Sequence, residues 1–456
     1  MRLTALLLLA SLLVRPAMAD EILRLHGSNT VGEALAPALV QAWLKAEGFE
    51  DIRRVDTAFE ELEWTAQRRG SRRVVQIHAH GSSTGFADLA SGSADVGMSS
   101  RPVKASDRNL HARMGDLDRP GQEFVLALDG IAIIVNPRNP FDELGKDRVR
   151  DLFSGRIRDW SQIRGSFGGA VKLHARDDRS GTYDSFKTLV LGDARLSSAA
   201  KRYESTEELA AAVAADPMAI GFVGLSGLRG VRALAISDGG GALLPKPEEV
   251  AVEDYPLSRR LFLYVPKDAP ALARRFAEFA TSPAAQPIVQ KIGFVDQAIR
   301  AYAVPVREDA PDSYRTWVTG AERLSLNFRF GEGARMLDSK TMMDLDRLAA
   351  FLKQPGQRER TLILLGFSDA VETLPAMALF MSTDRADYIA SLLLERGVAP
   401  RRVRGLGSVA PVASNDDAVG RQRNRRVEVW LAEPGASAGV ASGGNASRDG
   451  QARSAR

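Results

Sequence analysis

The sequence contains no cysteine, and it has no long apolar run outside the amino terminus. The lack of cysteine excludes disulfides, thiolate catalysis, thiolate metal sites and a lipid carried on cysteine. The formal net charge of +4, from 61 basic and 57 acidic residues, is close to balance and gives no reason to expect nucleic acid as a partner. Because no later segment approaches the length of a bilayer span, we expect a protein that does not span the membrane.

The length of the chain predicts more than one domain. Its 456 residues exceed what a single hydrophobic core supports, so we expect two or three domains. Hydrophobic residues make up 45% of the chain and charged residues 26%, which is ordinary for folded soluble proteins. Sizeable cores are therefore expected.

Residues 1–19 have the pattern of a secretory signal peptide. A basic residue, Arg2, is followed by the apolar run 3–14 and by the small-x-small sequence 17–19, which is typical of a cleavage site. The apolar run is too short to cross a bilayer. We therefore expect export, with a mature chain that begins at Asp20.

Two patterned regions follow. Residues 20–303 alternate short apolar runs with amphipathic stretches, which predicts an α/β unit. Residues 304–320 include a segment rich in Pro, Asp and Arg without an apolar period, and we assign a linker there. A βαβαβ order over 321–433 suits a compact α/β sandwich. Residues 434–456, dominated by Gly, Ser, Ala and Arg, are expected to form a disordered tail.

The apolar periods predict individual elements in both units. In the first unit a helix is predicted at 31–46, and strands at 22–25, 74–79, 124–128, 131–135, 171–174, 220–223 and 261–265. In the second unit helices are predicted at 339–352 and 376–396, and strands at 324–330, 361–366, 403–405 and 426–431.

Three loops of the first unit set glycine and hydroxyl residues between a strand and a helix: 27–31 (GSNTV), 80–86 (HGSSTGF) and 176–183 (RDDRSGTY). Unpaired backbone N–H groups and the helix dipole at such positions favour an anion, and Arg176 adds a forked charged donor. Each loop alone could also be an ordinary helix cap. In open α/β sheets ligands lie at the carboxyl ends of strands, where these loops could converge.

Further segments, which occur in the same order along the chain as in a known family, extend a resemblance over about residues 21–299. They include ADVGMSSRP (94–102), DGIAIIVNP (129–137), IGFVG (220–224) and YPLSR (255–259). With the three loops, they resemble the phosphate-binding periplasmic component of ABC importers. The resemblance implies a two-lobed periplasmic-binding-protein fold of type II that closes on its ligand.

The resemblance also assigns the anion contacts. It places Asp178 where the family orients its arginine, and Ser100 where the best-studied pattern has an aspartate that accepts a proton from phosphate. Without that carboxylate, sulfate or another tetrahedral oxyanion stays open beside phosphate, which we favour. The predicted phosphate-binding residues are Ser28, Thr30, Val31, Ser82, Ser100, Arg176, Ser180, Gly181 and Thr182.

The second unit carries a complementary pair of charges. Asp369 follows an apolar strand and Arg385 lies on the next helix, which suits a ligand with both an ammonium and a carboxylate, although an ordinary ion pair would have the same spacing. The segments MSTDRA (381–386) and GRQRNRRVEV (420–429) resemble the OmpA-like peptidoglycan-binding domain. By that resemblance, Asp369 and Arg385 hold the diaminopimelate of the stem peptide, and the assisting residues are Arg421, Asn424 and Arg425.

One departure concerns Ala378, which stands where that family usually has an asparagine seven residues before the helix arginine. The change removes one side-chain contact and predicts weaker wall binding.

Together these patterns predict a periplasmic protein, held on peptidoglycan without a covalent bond, that binds phosphate for an ABC permease or as a reservoir or sensor. Two alternatives stay open: an envelope tether with a degenerate binding domain, and an enzyme acting on phosphate esters, for which metal ligands are lacking. His78 and His80 share a strand face but have no third ligand at a suitable spacing. We therefore predict no enzyme activity, no catalytic residue, no metal and no cofactor.

Overall fold

The computed structural model describes residues 20–108, 116–178, 180–306, 310–331, 337–371 and 374–434. The predicted signal peptide lies outside these residues, as does the predicted tail after residue 434. Within the described ranges, no helix combines the length and the apolar character that crossing a membrane requires.

The first unit alternates strands and helices, as the sequence predicts. Its strands are β1 (Glu21–Gly27), β2 (Glu50–Ala58), β3 (Glu61–Arg68), β4 (Ser71–His78), β5 (Val96–Ser99), β6 (Glu123–Val135), β7 (Glu143–Gly145), β8 (Lys172–Arg176), β9 (Lys201–Tyr203), β10 (Ala219–Gly224), β11 (Arg232–Ala233), β12 (Ala235–Ser237) and β13 (Ser258–Tyr264). Its helices are α1 (Asn29–Gly32), α2 (Leu35–Ala46), α3 (Ser82–Ser91), α4 (Ala105–Arg108), α5 (Lys146–Phe153), α6 (Gly181–Phe186), α7 (Thr206–Ala215), α8 (Pro247–Ala251), α9 (Ala271–Thr281) and α10 (Gln286–Ile292).

Strand β6 divides the first unit into two lobes. The main sheet has the order β2-β3-β4-β1-β5-β13-β6-β10-β8-β9, with β11 also against β6. The first half of β6 pairs with β13, and its second half pairs with β10 and β11. Separate apolar cores lie around Trp43 and around Trp160. We call the half that contains β1 to β5 lobe 1, and the half that contains β8 to β10 lobe 2.

Two details of this sheet differ from the sequence prediction. The strands predicted at 124–128 and 131–135 are one strand, because Asp129 stays in register with Arg259 on β13 and the ladder continues through Gly130. The pair β2 and β3 was not predicted. Strand β2 is an edge strand that is almost fully exposed, so its charged sequence carries no apolar alternation.

The second unit is a sheet covered on both faces. Its elements are β14 (Ala301–Tyr302), α11 (Asp312–Val318), β15 (Ala321–Arg329), α12 (Ser339–Leu352), β16 (Thr361–Gly366), α13 (Pro375–Glu395), β17 (Arg402–Gly405), α14 (Ala418–Asn424) and β18 (Arg426–Ala432). The strand order is β14-β15-β18-β16-β17. Helices α12 and α13 contribute Leu345, Leu348, Ile389 and Leu393 to the core on one face of the sheet.

Part of the predicted linker is a structural element. Helix α11 lies within residues 304–320 and covers the second face of the small sheet. Tyr314, Trp317 and Val318, spaced as i, i+3 and i+4, pack against a core that includes Trp430. Three apolar side chains are too few to give a sequence period, which explains why this stretch resembles a connector.

The second unit contacts both lobes of the first. On lobe 1, the hydroxyl of Ser339 donates a hydrogen bond to the carbonyl of Asp118 (3.1 Å). On lobe 2, the backbone N–H of Ser414 donates to the carbonyl of Asp238. The two units are therefore packed against each other rather than joined only through the chain.

Buried charges hold this interface. The carboxylate of Asp254, just after α8, accepts hydrogen bonds from Arg323 (2.6 Å), Arg329 (2.6 Å) and Asn327 (3.2 Å) of β15. Arg260 of β13 binds Glu253 in its own unit and Asp338 (2.5 Å) at the start of α12. Because each charge is paired, the desolvation cost of burying it is offset within the interface.

Candidate functional site

Two of the three predicted loops meet at one edge of lobe 1. Strands β1, β4 and β5 are parallel neighbours, so their carboxyl ends share that edge. The N–H of Gly81 donates to the carbonyl of Gly27 (2.7 Å), and the N–H of Ser28 donates to the carbonyl of Met98 (2.9 Å). The segments that follow β1 and β4 are thereby bonded to each other and to β5.

Ser82 and Ser100 are in contact at this edge. Ser82 opens α3 and Ser100 directly follows β5. The hydroxyl of Ser82 accepts a hydrogen bond from the N–H of Ser100 (3.1 Å), and the two hydroxyl oxygens are 3.3 Å apart. Both side chains are buried. This pair supplies neutral donors and acceptors, and neither residue carries a charge that would repel an anion.

The third loop, on lobe 2, reaches the first loop, on lobe 1. A Cβ built on Gly181 would lie 2.1 Å from the Oγ1 of Thr30, so the backbone of α6 touches the side chain of Thr30. Ser180 precedes Gly181 and is buried, and Thr182 is the second residue of α6. The structure therefore brings segments of both lobes together.

The backbone groups of Ser28 and Val31 are hydrogen-bonded to each other within the first loop. The N–H of Val31 donates to the carbonyl of Ser28 (3.2 Å) within the turn that begins α1. The side chain of Val31 is fully buried in the core of lobe 1. In this arrangement Val31 supports the loop, while the hydroxyl of Thr30 faces the other lobe.

Arg176 stands at the end of β8, and two of its nitrogens are hydrogen-bonded within lobe 2. Its Nη1 donates to the hydroxyl of Thr206 (2.6 Å), and its Nε donates to the carbonyl of Tyr203 (3.4 Å). Asp178, predicted to orient this arginine, instead pairs with Arg202. That prediction is wrong, because the Asp178 side chain is 85% exposed and turns outwards.

Arg259 is a central residue that sequence reasoning did not assign to the site. It lies on β13 opposite Asp129 of β6, and the buried side chains form an ion pair of 3.1 Å. Its Nη2 also donates to the hydroxyl of Thr30 (2.8 Å) and to the carbonyl of Gly181 (3.0 Å). One guanidinium thus contacts both lobes.

Burial shifts the ionisation of this pair. Burial lowers the pKa of Arg259, with Asp129 and Asp184 acting in the opposite direction. Burial also raises the pKa of Asp129, and Arg259 opposes that shift. A sequence signal existed for Asp129, because it is a charge within the strongly apolar strand β6 and a buried charge requires a partner of opposite sign.

The histidines of lobe 1 are arranged by ring packing and hydrogen bonds. His26 and His78 stack with ring centroids 4.0 Å apart, and His80 lies 2.9 Å from Glu61. Burial is the largest cause of the lowered pKa of His78. In the described part of the chain, no group of three His, Asp or Glu side chains is placed to hold a metal ion.

The second candidate site lies beyond β16. The carboxylate of Asp369 is 2.8 Å from Nη1 of Arg425, and both residues are buried. Arg385, fully buried on α13, donates to the carbonyl of Phe367 (3.2 Å) in the same loop. The structure therefore places the side chains of Arg385 and Arg425 against the loop that follows β16 and contains Asp369.

The other two predicted wall-binding residues hold a neighbouring loop. The carboxamide oxygen of Asn424 accepts from the N–H groups of Val412 (2.9 Å) and Ala413 (3.1 Å). Nη1 of Arg421 donates to the carbonyl of Asn415 (3.0 Å). In this geometry Asn424 and Arg421 shape the loop, and Arg425 is the tail residue that reaches Asp369.

Comparison with known proteins identifies two families. The model of a PBP superfamily domain matches residues 55–284, and the model of the OmpA family matches residues 329–425. The chain is 28% identical over 251 residues to Protein SphX of Synechocystis sp., an alignment that covers 51% of this chain and 73% of that protein. It is 28% identical over 201 residues to the phosphate-binding protein PstS of Staphylococcus saprophyticus, covering 42% of this chain and 60% of that protein.

Solved structures also resemble part of the chain. An ABC-type phosphate transport receptor from Vibrio cholerae aligns with a TM-score of 0.47 at 22% identity, covering 60% of this chain and 99% of that one. A possible phosphate binding protein from Planctomyces limnophilus aligns with a TM-score of 0.48 at 21% identity, covering 61% of this chain and 93% of that one.

Proposed function

The chain belongs to the PBP superfamily, and from that premise we propose that it binds inorganic phosphate, or a related tetrahedral oxyanion, between its two lobes. The observation that carries the proposal is the contact of Thr30 in lobe 1 with Gly181 in lobe 2. Ser180 and the pair Ser82 and Ser100 add hydroxyls from both lobes. A desolvated anion requires several such donors at once, since an unsatisfied buried charge is costly.

The action we propose is binding without turnover. The residues named above offer hydroxyls, backbone amides and guanidinium groups, which are hydrogen-bond donors suited to holding an anion. Closure of the lobes excludes water and strengthens these hydrogen bonds. The protein named PstS in S. saprophyticus, described as phosphate-binding, supports the choice of phosphate for this chain.

Titration with inorganic phosphate tests this function. We expect one saturable site per chain in calorimetry, and Thr30→Val should weaken binding at least about tenfold, because it removes a hydroxyl donor to a charged ligand. Thr84→Val is the matched control, since the Thr84 hydroxyl donates to the carbonyl of His80 (3.1 Å). Absence of a saturable signal with native protein would favour the alternative of an envelope tether with a degenerate binding domain.

We further propose that the second unit, an OmpA family domain, binds peptidoglycan in the periplasm without a covalent bond. The buried group of Asp369, Arg385 and Arg425 supports this assignment, because diaminopimelate offers an ammonium to the aspartate and a carboxylate to the arginines. The protein would then deliver phosphate to an ABC permease from the wall, or act as a reservoir or sensor. A permease that copurifies only with phosphate-loaded protein would assign delivery.

Co-sedimentation with purified peptidoglycan tests the wall site. Asp369→Asn should reduce binding about tenfold, because the ammonium of the stem peptide loses its charged acceptor. Asp416→Asn is the control, since Asp416 is exposed and bonds Ser414 in the adjacent loop. Equal sedimentation of the Asp369 variant and native protein, with unchanged thermal unfolding, would remove Asp369 from the site.

A further inference from the structure

We propose that Arg259 is a direct ligand of the bound anion and that it couples anion binding to closure of the lobes. The inference rests on the proposed function, because it assigns a residue to the same cleft. It goes beyond the predicted site, in which Arg176 was the cation.

Arg259 lies at the boundary between the two lobes. Strand β13 pairs with β5 and with the first half of β6, so Arg259 sits where the sheet passes from lobe 1 to lobe 2. From there its Nη2 reaches Thr30 of lobe 1 and the carbonyl of Gly181 in lobe 2. A group that bonds both lobes at once can do so only when they are close together.

The guanidinium of Arg259 uses only some of its N–H groups in hydrogen bonds to the protein. Nε and Nη2 point at Asp129, and Nη2 also serves the two lobe contacts. Among the residues that the structure describes, none accepts a hydrogen bond from Nη1 of Arg259. A guanidinium has five N–H donors, so the two on Nη1 remain for a ligand.

The same contacts orient the hydroxyl of Thr30. Its oxygen accepts a hydrogen bond from Arg259, which commits a lone pair and leaves its single hydrogen to donate elsewhere. Thr30 and Arg259 therefore act as joint donors towards one anion. Their effects on anion affinity should be coupled rather than additive.

The pairing with Asp129 explains why the positive charge of Arg259 is tolerated in a buried position. The ion pair offsets the desolvation of both groups, and its positive end is directed at Thr30 and Gly181. Arg176, by comparison, makes its two hydrogen bonds within lobe 2, from Nη1 to Thr206 and from Nε to the carbonyl of Tyr203. The cation placed where the lobes meet is thus Arg259.

The test uses the full chain with inorganic phosphate in calorimetry. The double variant Asp129→Asn, Arg259→Gln removes both charges, so no uncompensated charge is left buried. We expect its affinity for phosphate to fall about 30-fold, while its melting temperature without phosphate stays close to native. The matched control is Asp142→Asn, Arg232→Gln, an ion pair of 2.9 Å on lobe 2 whose aspartate is exposed; its affinity should be native.

The outcomes separate the two proposals. If native protein does not bind phosphate, the proposed function fails. If native protein binds and the folded double variant binds equally well, only the role of Arg259 fails. If the double variant does not fold, Arg259→Lys decides, since lysine keeps the charge but lacks the fork, and unchanged affinity overturns the inference. Adding Thr30→Val to the double variant should cost less affinity than adding it to native protein, and full additivity would contradict the coupling.

Discussion

Replacing Gly181 by alanine is expected to weaken phosphate binding by about 30- to 100-fold while leaving the unliganded fold intact. An added Cβ would lie 2.1 Å from Oγ1 of Thr30 and 2.6 Å from its Cα, so the backbone of lobe 1 would have to move. Because the two residues belong to different lobes, opening the cleft relieves the clash without unfolding either lobe. The variant should therefore favour the open form, which lacks the full set of donors.

Gly165→Ala is the matched control for this prediction. Gly165 also belongs to lobe 2, and a Cβ at that position would meet nothing within 4 Å. Calorimetry with phosphate gives the affinities, and small-angle scattering reports whether the Gly181 variant is more open. Native affinity in the Gly181 variant would mean that the lobes do not close upon the anion at Thr30.

Replacing Asp254 by asparagine is expected to lower the free energy of unfolding by about 3–5 kcal/mol. The change leaves Arg323 and Arg329 buried at the interface of the two units without their shared counter-charge. Urea unfolding should show the loss, together with separate transitions for the two units. In the control, Asp142→Asn, the aspartate is 93% exposed and little change is expected. Native stability in the Asp254 variant would show that this network does not hold the units together.

The same interface predicts sensitivity to acid. Burial alone would raise the pKa of Asp254, but Arg323 and Arg329 outweigh burial and hold that pKa well below its usual range. At Glu253 burial is likewise outweighed by Arg260, and the pKa falls to about 2. Carboxyls with a lowered folded pKa stabilise the protein above their ordinary pKa, near 4, and this contribution is lost as the pH falls towards 2. The midpoint of urea unfolding should therefore drop steeply below pH 4 in native protein and less steeply in the Asp254 variant.

Much of the architecture was predictable from local patterns. Both family resemblances are confirmed, as are the two-lobed α/β fold and the separate small sheet. Helix α12 begins and ends at the predicted residues, because its apolar period is strong and Asp338 caps it by accepting from the N–H of Thr341 (2.7 Å). Strand β16 also has the predicted bounds, since all its residues are buried and its apolar run is uninterrupted.

Other features had no local signal. Helix α11 was assigned to a linker because its contact surface consists of three apolar residues. Asp178 matched a family position, yet its exposed carboxylate binds Arg202. The interface around Asp254 joins residues about 70 positions apart, and nothing in either local sequence indicates the partner.

The sequence by itself determined the elements and the families, because strand and helix periods, caps and glycine loops depend on residues only a few positions apart. Tertiary structure alone decided which cation lies where the two lobes meet. Arg259 and Thr30 are 229 positions apart, and they meet because β13 crosses between the lobes beside β6. Side-chain direction at such a crossing depends on strand register and on the packing of both lobes, which no local pattern of residues encodes.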